Sequence, residues 1–519
     1  MDIYDDLFEL QIKNIYNCSL ISQILISKKN VAMNAFDYFF SETKYLEKDF
    51  VLGTSENASY KQIYEDSLKL ACYLSKCYGI NNNFIILSQN SVFFITVYLG
   101  IIKSGNVCIP LNSQIEQENL NYIIGLTNCK LIFLSKHIKS GLKISETVCD
   151  ESTFDTIIQH TEADSVYFDF VNFDDKSIAE IIFTSGSTGK PKGVMISHLN
   201  LCTNTNSILQ YLKLTSSDII EVVLPFYYCY GLSLLHTHLK IGGSIVLNNS
   251  FILLGSVIDN LIKYRCTGFA GVPSHFQILL RKSQSFTKTK FPDLRYVTQA
   301  GGKLHSVFIE EFIQIFPEIN FFLMYGQTEA TARLSYLPPE LLKSKIGSIG
   351  KGIPDVILKV VNEKNEPVEV GEVGEIIAQG GNVMTGYYKD PEGTADVLKN
   401  GWLFTGDMAR IDNDGFIFLV SRKKEIIKVG GNRVSPKEIE EVILSVPEIL
   451  DCTVEGMDDV LLGEAIKATI VINSSFNKDI IQNKILEKCR EKLALYKIPQ
   501  QFEFTDKLNI TPTGKKQKN

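Results

Sequence analysis

Hydrophobic positions along the chain switch between a helical and a strand period, and this alternation predicts an α/β architecture. Residues 60–78 place Ile63, Leu70, Leu74 and Cys77 on one helical face, with Gly79 set to stop the helix. Phe84-Ile85-Ile86-Leu87 is a short unbroken apolar run, as a strand buried on both faces shows. Residues 92–102 predict a helix buried all round; the run contains Thr96 and is too short to cross a bilayer. A strand over 179–184 leads into a loop of small residues, 185–193, then a second strand over 194–197 and a helix from about Leu199. Farther on, Ser435-Pro436-Lys437-Glu438 predicts a helix opened by a capping box, with Ser as N-cap, Pro in the first turn and Glu reaching back. Ile439, Val442, Ile443 and Val446 form its apolar face, and a strand over 465–472 and an amphipathic helix over 479–493 follow. These elements read as a small separate α+β unit, with the charged stretch 422–428 as its boundary.

Composition narrows the class. The 519 residues suggest about two to four domains, and 45% hydrophobic with 21% charged residues fits a folded globular protein. A net charge of −7 argues against broad nucleic-acid binding. The acidic start Met1-Asp2-Ile3-Tyr4-Asp5-Asp6 lacks the order of a secretory signal. Eleven cysteines without a CxxC pair suggest reduced, mostly buried thiols and a cytoplasmic setting. His236-Thr237-His238 offers too few ligands for a metal and reads as structural.

Five segments carry chemistry. Phe183-Thr184-Ser185-Gly186-Ser187-Thr188-Gly189-Lys190-Pro191-Lys192-Gly193 combines flexible glycines, four hydroxyls and two lysines, which suits a polyphosphate. It is not a Walker A loop, because Thr184 stands where that motif needs glycine. Met324-Tyr325-Gly326-Gln327-Thr328-Glu329 offers an aromatic ring, a close-approach glycine and a carboxylate suited to Mg²⁺. Asp407, after Gly401-Trp402-Leu403-Phe404-Thr405-Gly406, is a candidate acceptor for two ribose hydroxyls. Residues 422–433, Arg422 to Arg433, join a charged connector to Gly430-Gly431. Lys515 follows Pro512-Thr513-Gly514. Taken singly, each has a plain structural explanation: a flexible loop, a strand end, an Asx turn, a solvated connector, a polar tail.

In this order the five segments resemble the adenylate-forming superfamily, which contains acyl- and aryl-CoA synthetases, the adenylation domains of nonribosomal peptide synthetases and firefly luciferase. The look is closest to the acyl-CoA synthetases, and the resemblance runs from about residue 35 to the end. It implies an adenylate-forming domain over 1–421 built of parallel and mixed sheets flanked by helices, a hinge over 422–428, and a small mobile α+β lid over 429–519. It also implies two steps, acyl-adenylate formation from ATP with release of pyrophosphate, then transfer of the acyl group to a thiol.

The roles it implies are specific. Thr184, Ser185, Gly186, Ser187, Thr188, Gly189 and Lys192 would hold the β- and γ-phosphates. Thr328 and Glu329 would hold the α-phosphate, with Glu329 on Mg²⁺. Gly301, Gly302, Lys303, Met324, Tyr325 and Gly326 would line the adenine site. Asp407 would take the ribose hydroxyls with help from Arg422, and Lys424 would mark the hinge. Lys515 would bridge the carboxylate and the α-phosphate, and Gly430 and Gly431 would approach the thiol arm.

One stretch departs from the pattern. In Pro225-Phe226-Tyr227-Tyr228-Cys229-Tyr230-Gly231-Leu232 many acyl-CoA synthetases have His where Tyr228 stands. Amino-acid-activating relatives carry an Asp here, and this stretch has none. Tyr227, Tyr228, Gly271 and His275 are the expected acid-pocket walls, apolar and aromatic enough to favour an aliphatic or aromatic acid, as in fatty acid metabolism. The acceptor is coenzyme A or the phosphopantetheine arm of a carrier protein acting in trans, since no carrier domain is expected in the chain. The partner is thus a small-molecule carboxylic acid, and a monomer or homodimer is expected. The alternatives are an acyl-AMP ligase with a non-thiol acceptor, a stand-alone amino-acid-activating enzyme, and an inactive nucleotide-binding regulator.

Overall fold

A computed structural model describes residues 33–53, 56–136, 138, 141–163, 173–184, 190–459, 462–472 and 476–508. Ser185, Gly186, Ser187, Thr188, Gly189 and Lys515 therefore lie outside the described residues.

Three sheets organise the chain. In the largest, Asp49–Leu52, Ser244–Leu247, Ile219–Val222, Gly268–Gly271, Tyr296–Gln299 and Asn320–Tyr325 lie side by side, every neighbouring pair parallel. Parallel neighbours need long crossovers, and helices such as Cys229–Ile241, Pro273–Lys282 and Ser306–Ile315 supply them. Beyond Asn320–Tyr325 the sheet continues antiparallel through Ser335–Leu337, Ser348–Gly352, Ile417–Arg422, Trp402–Ile411, Gly374–Gly380 and Val356–Val361. A second sheet runs Gly386–Tyr387, Lys192–Ser197, Ile178–Thr184, Val107–Leu111, Asn83–Leu87, Leu131–Leu134 and Val148–Asp150.

The helix Val92–Lys103 is buried continuously from Phe93 to Lys103, as its all-round apolar sequence requires. It shares one core with Phe84 and Ile86 of the second sheet and Ile220 and Ala270 of the first. Lys103 is tolerated there because Asp37 accepts from its ammonium at 2.7 Å. No helix among the described residues is long and apolar enough to cross a membrane.

The smaller C-terminal domain has its own sheet, made of Asn432–Val434, Ile427–Val429, Gly463–Ile472, Ile449–Asp459 and Gln501–Thr505, with helices Pro436–Leu444 and Lys478–Lys492. Ile417–Arg422 is a strand of the large sheet and Ile427–Val429 a strand of the small one, so sheet membership changes within a few residues. Ile439 and Ile443 join the core that contains Leu279, Phe308 and Phe312 of the large domain. Polar contacts reinforce this junction. Glu441 accepts from His305 at 3.0 Å and from the Ser306 N–H at 2.7 Å, and its Oε2 lies 3.3 Å from the Lys303 ammonium. Burial alone would raise the Glu441 carboxyl, but His305, Lys303 and the Ser306 contact outweigh it and hold it down at about 2.

Two local expectations are corrected. Ser435 is the N-cap of Pro436–Leu444 but its side chain caps nothing: the hydroxyl donates to Val420 O at 2.5 Å, and Glu438 pairs with Lys497 at 2.7 Å. Tertiary partners outcompete the local box. The second strand of the phosphate-loop hairpin also starts at Lys192 rather than 194, because Lys192 pairs in register with Thr184.

Candidate active site

The parallel strands of the large sheet end next to one another, and the chain leaving those ends carries the candidate residues. Ile219–Val222 runs on to Tyr227 and Tyr228, and Gly268–Gly271 ends at Gly271 with His275 in the helix that follows. Tyr296–Gln299 leads to Gly301, Gly302 and Lys303, and Asn320–Tyr325 leads to Gly326, Thr328 and Glu329. Ligands bind at this edge of open α/β sheets, where loops diverge and leave a crevice.

Close approaches knit these loops together. Gly301 has φ of 86°, and a Cβ there would stand 3.2 Å from the Tyr228 hydroxyl and 3.1 Å from Val272 Cγ1. Tyr228 thus lies directly against the glycine segment of the next strand but one. Cys229 Sγ is 3.6 Å from Thr328 Oγ1, which joins the tyrosine-rich segment 225–232 to the segment 324–329. Burial drives the Tyr228 hydroxyl above its ordinary range and Tyr227 up to about 12, so both stay protonated hydrogen-bond donors at neutral pH. His275 stacks on Phe251 with centroids 3.9 Å apart, and burial pushes it down to about 3, so it is an uncharged wall.

Asp407 reaches the site through a bulge. Phe404 faces Ile377 and Met408 faces Glu375, so residues between them stand out of the ladder. Bulges re-aim side chains in this way. Tyr325 donates its hydroxyl to Asp407 Oδ2 at 2.7 Å, and Arg422 Nε lies 3.2 Å from Oδ1. Burial raises the Asp407 carboxyl against the pull of Arg422 and Tyr325, and the carboxylate in turn strengthens the charge on Arg422.

A second cluster centres on Glu329. Tyr387 donates to Glu329 Oε1 at 2.8 Å, and burial together with the Glu329 charge pushes that phenol up. Lys192 donates to Asp390 at 2.8 Å while its ammonium sits 4.9 Å from the centre of the Tyr387 ring. Lys192 and the Gly393 N–H hold the Asp390 carboxyl below its usual range. Thr184 Oγ1 is 3.5 Å from Lys192 O, so the two residues that frame the candidate phosphate loop lie beside this cluster. Tyr387 and Asp390 escaped the sequence reading; the aromatic, charged run Gly386-Tyr387-Tyr388-Lys389-Asp390 is the one signal that could have found them.

Other candidates stand apart. Met324, on the opposite face of its strand from Tyr325, is buried and accepts from the Tyr211 hydroxyl at 3.0 Å. Gly302 accepts from Gln299 at 2.9 Å, and Lys303 faces Glu441 of the C-terminal domain. Lys424 lies exposed in the short turn Lys423–Glu425. Gly430 and Gly431, at φ of 54° and 82°, form a two-residue hairpin turn between Ile427–Val429 and Asn432–Val434, a turn that demands positive φ at both central residues. His236 Nε2 meets the Tyr98 hydroxyl at 2.8 Å and His238 Nδ1 meets Leu234 O at 2.9 Å, both in the core.

Known proteins resemble this arrangement over most of the chain. The AMP-binding enzyme family matches residues 40–388, and the AMP-binding enzyme C-terminal domain matches 438–515. An oxalate–CoA ligase of Arabidopsis thaliana is 31% identical over 447 residues, 83% of this chain and 85% of its own. A feruloyl-CoA synthase of an Amycolatopsis species is 34% identical over 347 residues, 66% of this chain and 69% of its own. The o-succinylbenzoate CoA synthetase of Bacillus subtilis, solved with its acyl-adenylate intermediate, shares the fold at a TM-score of 0.81 and 24% identity, over 93% of this chain and 96% of its own. With five ordered motifs, strand-end loops that meet around Thr328, Tyr325 and Asp407, and family matches over both domains, the chain belongs to the AMP-binding enzymes.

Proposed function

We propose that the protein is an AMP-forming ligase that joins a carboxylic acid to the thiol of coenzyme A. The observation that carries this reading is the meeting of three segments at one sheet edge: the tyrosine-walled acid segment on Gly301, Thr328 beside Cys229, and Asp407 under Tyr325. Between them these residues would receive an acid, an α-phosphate and a ribose.

In the first step a carboxylate oxygen attacks the α-phosphorus of ATP, and the bond to the bridging oxygen of pyrophosphate breaks. Both reactants are anions, so the barrier is partly electrostatic and fixed positive charge lowers it. Thr328 would donate to the α-phosphate, and Lys192, anchored by Asp390, would sit by the departing phosphates. A single carboxylate, Glu329 steadied by Tyr387, fits Mg²⁺, which takes one or two carboxylates beside substrate phosphates. When bound, that ion would offset phosphate charge. Asp407 and Arg422 would fix the ribose, and Lys515 would bridge carboxylate and α-phosphate. No general base is required, because a carboxylic acid is already ionised at neutral pH.

In the second step the thiol sulfur attacks the acyl carbon, its proton passes to solvent, and the carbon–oxygen bond to AMP breaks. On this reading 422–428 would act as a hinge and 429–519 as a lid that brings the Gly430-Gly431 turn to the thiol arm. Relatives named as CoA ligases favour coenzyme A, and a carrier-protein arm in trans offers the same thiol chemistry. The ten cysteines among the described residues are free and mostly buried, which suits a reducing cytosol.

Acid-dependent pyrophosphate release from ATP, measured across fatty, aryl and amino acids, tests the reading. Release with one acid class, followed by thioester on adding coenzyme A, is expected. No release with any acid would refute it.

A further inference from the structure

Among the described residues Arg333 is the largest fully buried side chain, at 2% exposure, and it makes no ion pair. Its contacts are weak for a guanidinium. Nε faces Met324 Sδ at 3.2 Å, one terminal nitrogen reaches Ala332 O at 3.5 Å, the other reaches Ser233 Oγ at 3.5 Å, and the neutral Tyr211 hydroxyl also meets the guanidinium. Its carbon lies 4.0 Å over the centre of the Tyr230 ring. Arginine carries five N–H donors and stays protonated in proteins, so a buried guanidinium without a carboxylate is costly. A cation–π contact offsets only part of that cost.

The position of this cation gives it a direction. Tyr230 and Ser233 belong to the first turns of Cys229–Ile241, the helix that follows the acid-pocket tyrosines. Arg333 follows Glu329 by four residues, behind the sharp return at Gly326. Burial raises the hydroxyls of both Tyr228 and Tyr230, and the Arg333 charge pulls each of them partly back, so its field reaches the pocket wall that touches Gly301.

We propose that Arg333 is the counter-ion for a second anionic group of the substrate, so that the acid is a dicarboxylic acid: one carboxylate faces Thr328 and the α-phosphate, the other pairs with the guanidinium beside Tyr230. The inference rests on the acid-activating reading above. An aliphatic or aromatic wall alone would leave the charge unpaired, whereas a distal carboxylate takes up the bidentate geometry that arginine offers.

The test compares pyrophosphate release with linear dicarboxylic acids and with monocarboxylic acids of equal carbon number, for the wild type, Arg333→Met and Arg333→Lys. The wild type is expected to prefer some dicarboxylic acid over its monocarboxylic partner by about 10²-fold or more in kcat/KM, since sites built to bind a polar group reject analogues lacking it. Arg333→Met should collapse that ratio and improve the monocarboxylic acid, and Arg333→Lys should keep part of the preference. A purely structural role would lower both activities and leave the ratio unchanged. Equal efficiency in the wild type, or a ratio unaltered by Arg333→Met, overturns the proposal while the ligase reading stands. The wild-type ratio decides alone if the methionine variant does not fold. Absence of release with every acid takes down the ligase reading and this inference together.

Discussion

Glu221 sits in the strand that feeds the acid segment, and it is fully buried. Asn248 and Asn260 donate to Oε1 at 2.9 and 3.1 Å, while Oε2 has no partner. Burial pushes this carboxyl up to about 8 from 4.5, and it outweighs the two amide contacts. Between those values the folded protein holds a proton that the unfolded chain releases. Stability therefore falls as pH rises through the window and is fully present only below it. Melting temperatures recorded from about pH 5 to about pH 9 should show a shallower decline for Glu221→Gln than for the wild type. Parallel profiles would contradict the assignment. At this scale the sequence singled out Asp407 and Glu329 from their motifs, and the fold gives each a tyrosine partner, Tyr325 and Tyr387. The sequence was silent on pairings such as Lys192 with Asp390, 198 residues apart, because only the folded sheet brings them together.

Among the elements, the return at Gly326 is the tightest part of the site. A Cβ there would stand 2.0 Å from Ala332 O, which is backbone and cannot swing aside. Gly326→Ala should cost about 1–3 kcal/mol of stability through overpacking. It should also displace Thr328 and Glu329, lowering acid-dependent pyrophosphate release by about 10²-fold or more. A variant with wild-type melting and turnover would show that the turn has slack. Strands and helices were legible because burial writes its period into the sequence: the helix over residues 60–78 ends at Gly79 as its pattern predicts. The box at Ser435 and the bulge at Asp407 were not legible. Each is decided by a partner outside its own element, Val420 in one case and the Gly374–Gly380 strand in the other.

For the whole molecule the question is how two domains share two reactions. In the arrangement described, Lys303 and His305 of the large domain grip Glu441 of the small one, while the Gly430-Gly431 turn is exposed. The two half-reactions should therefore separate by mutation. Lys515→Ala should lower adenylation by about 10²–10³-fold and leave thioester formation from supplied acyl-adenylate largely intact. Gly431→Leu should do the reverse, at a folding cost of about 1–2 kcal/mol from its positive φ. Equal loss of both half-reactions in either variant would contradict the division of labour. The two-domain plan was visible from the motif order, because each domain carries its own motifs; the contacts that join them were not, since Lys303 was expected at the adenine site and nothing in the sequence points Glu441 toward it. The most direct measurement of the central claim is the fate of the substrate's carboxylate oxygen. With an acid labelled with ¹⁸O in its carboxylate, ATP and coenzyme A, the account predicts one labelled oxygen in the AMP released. Label in inorganic phosphate instead, or AMP without label, would contradict it.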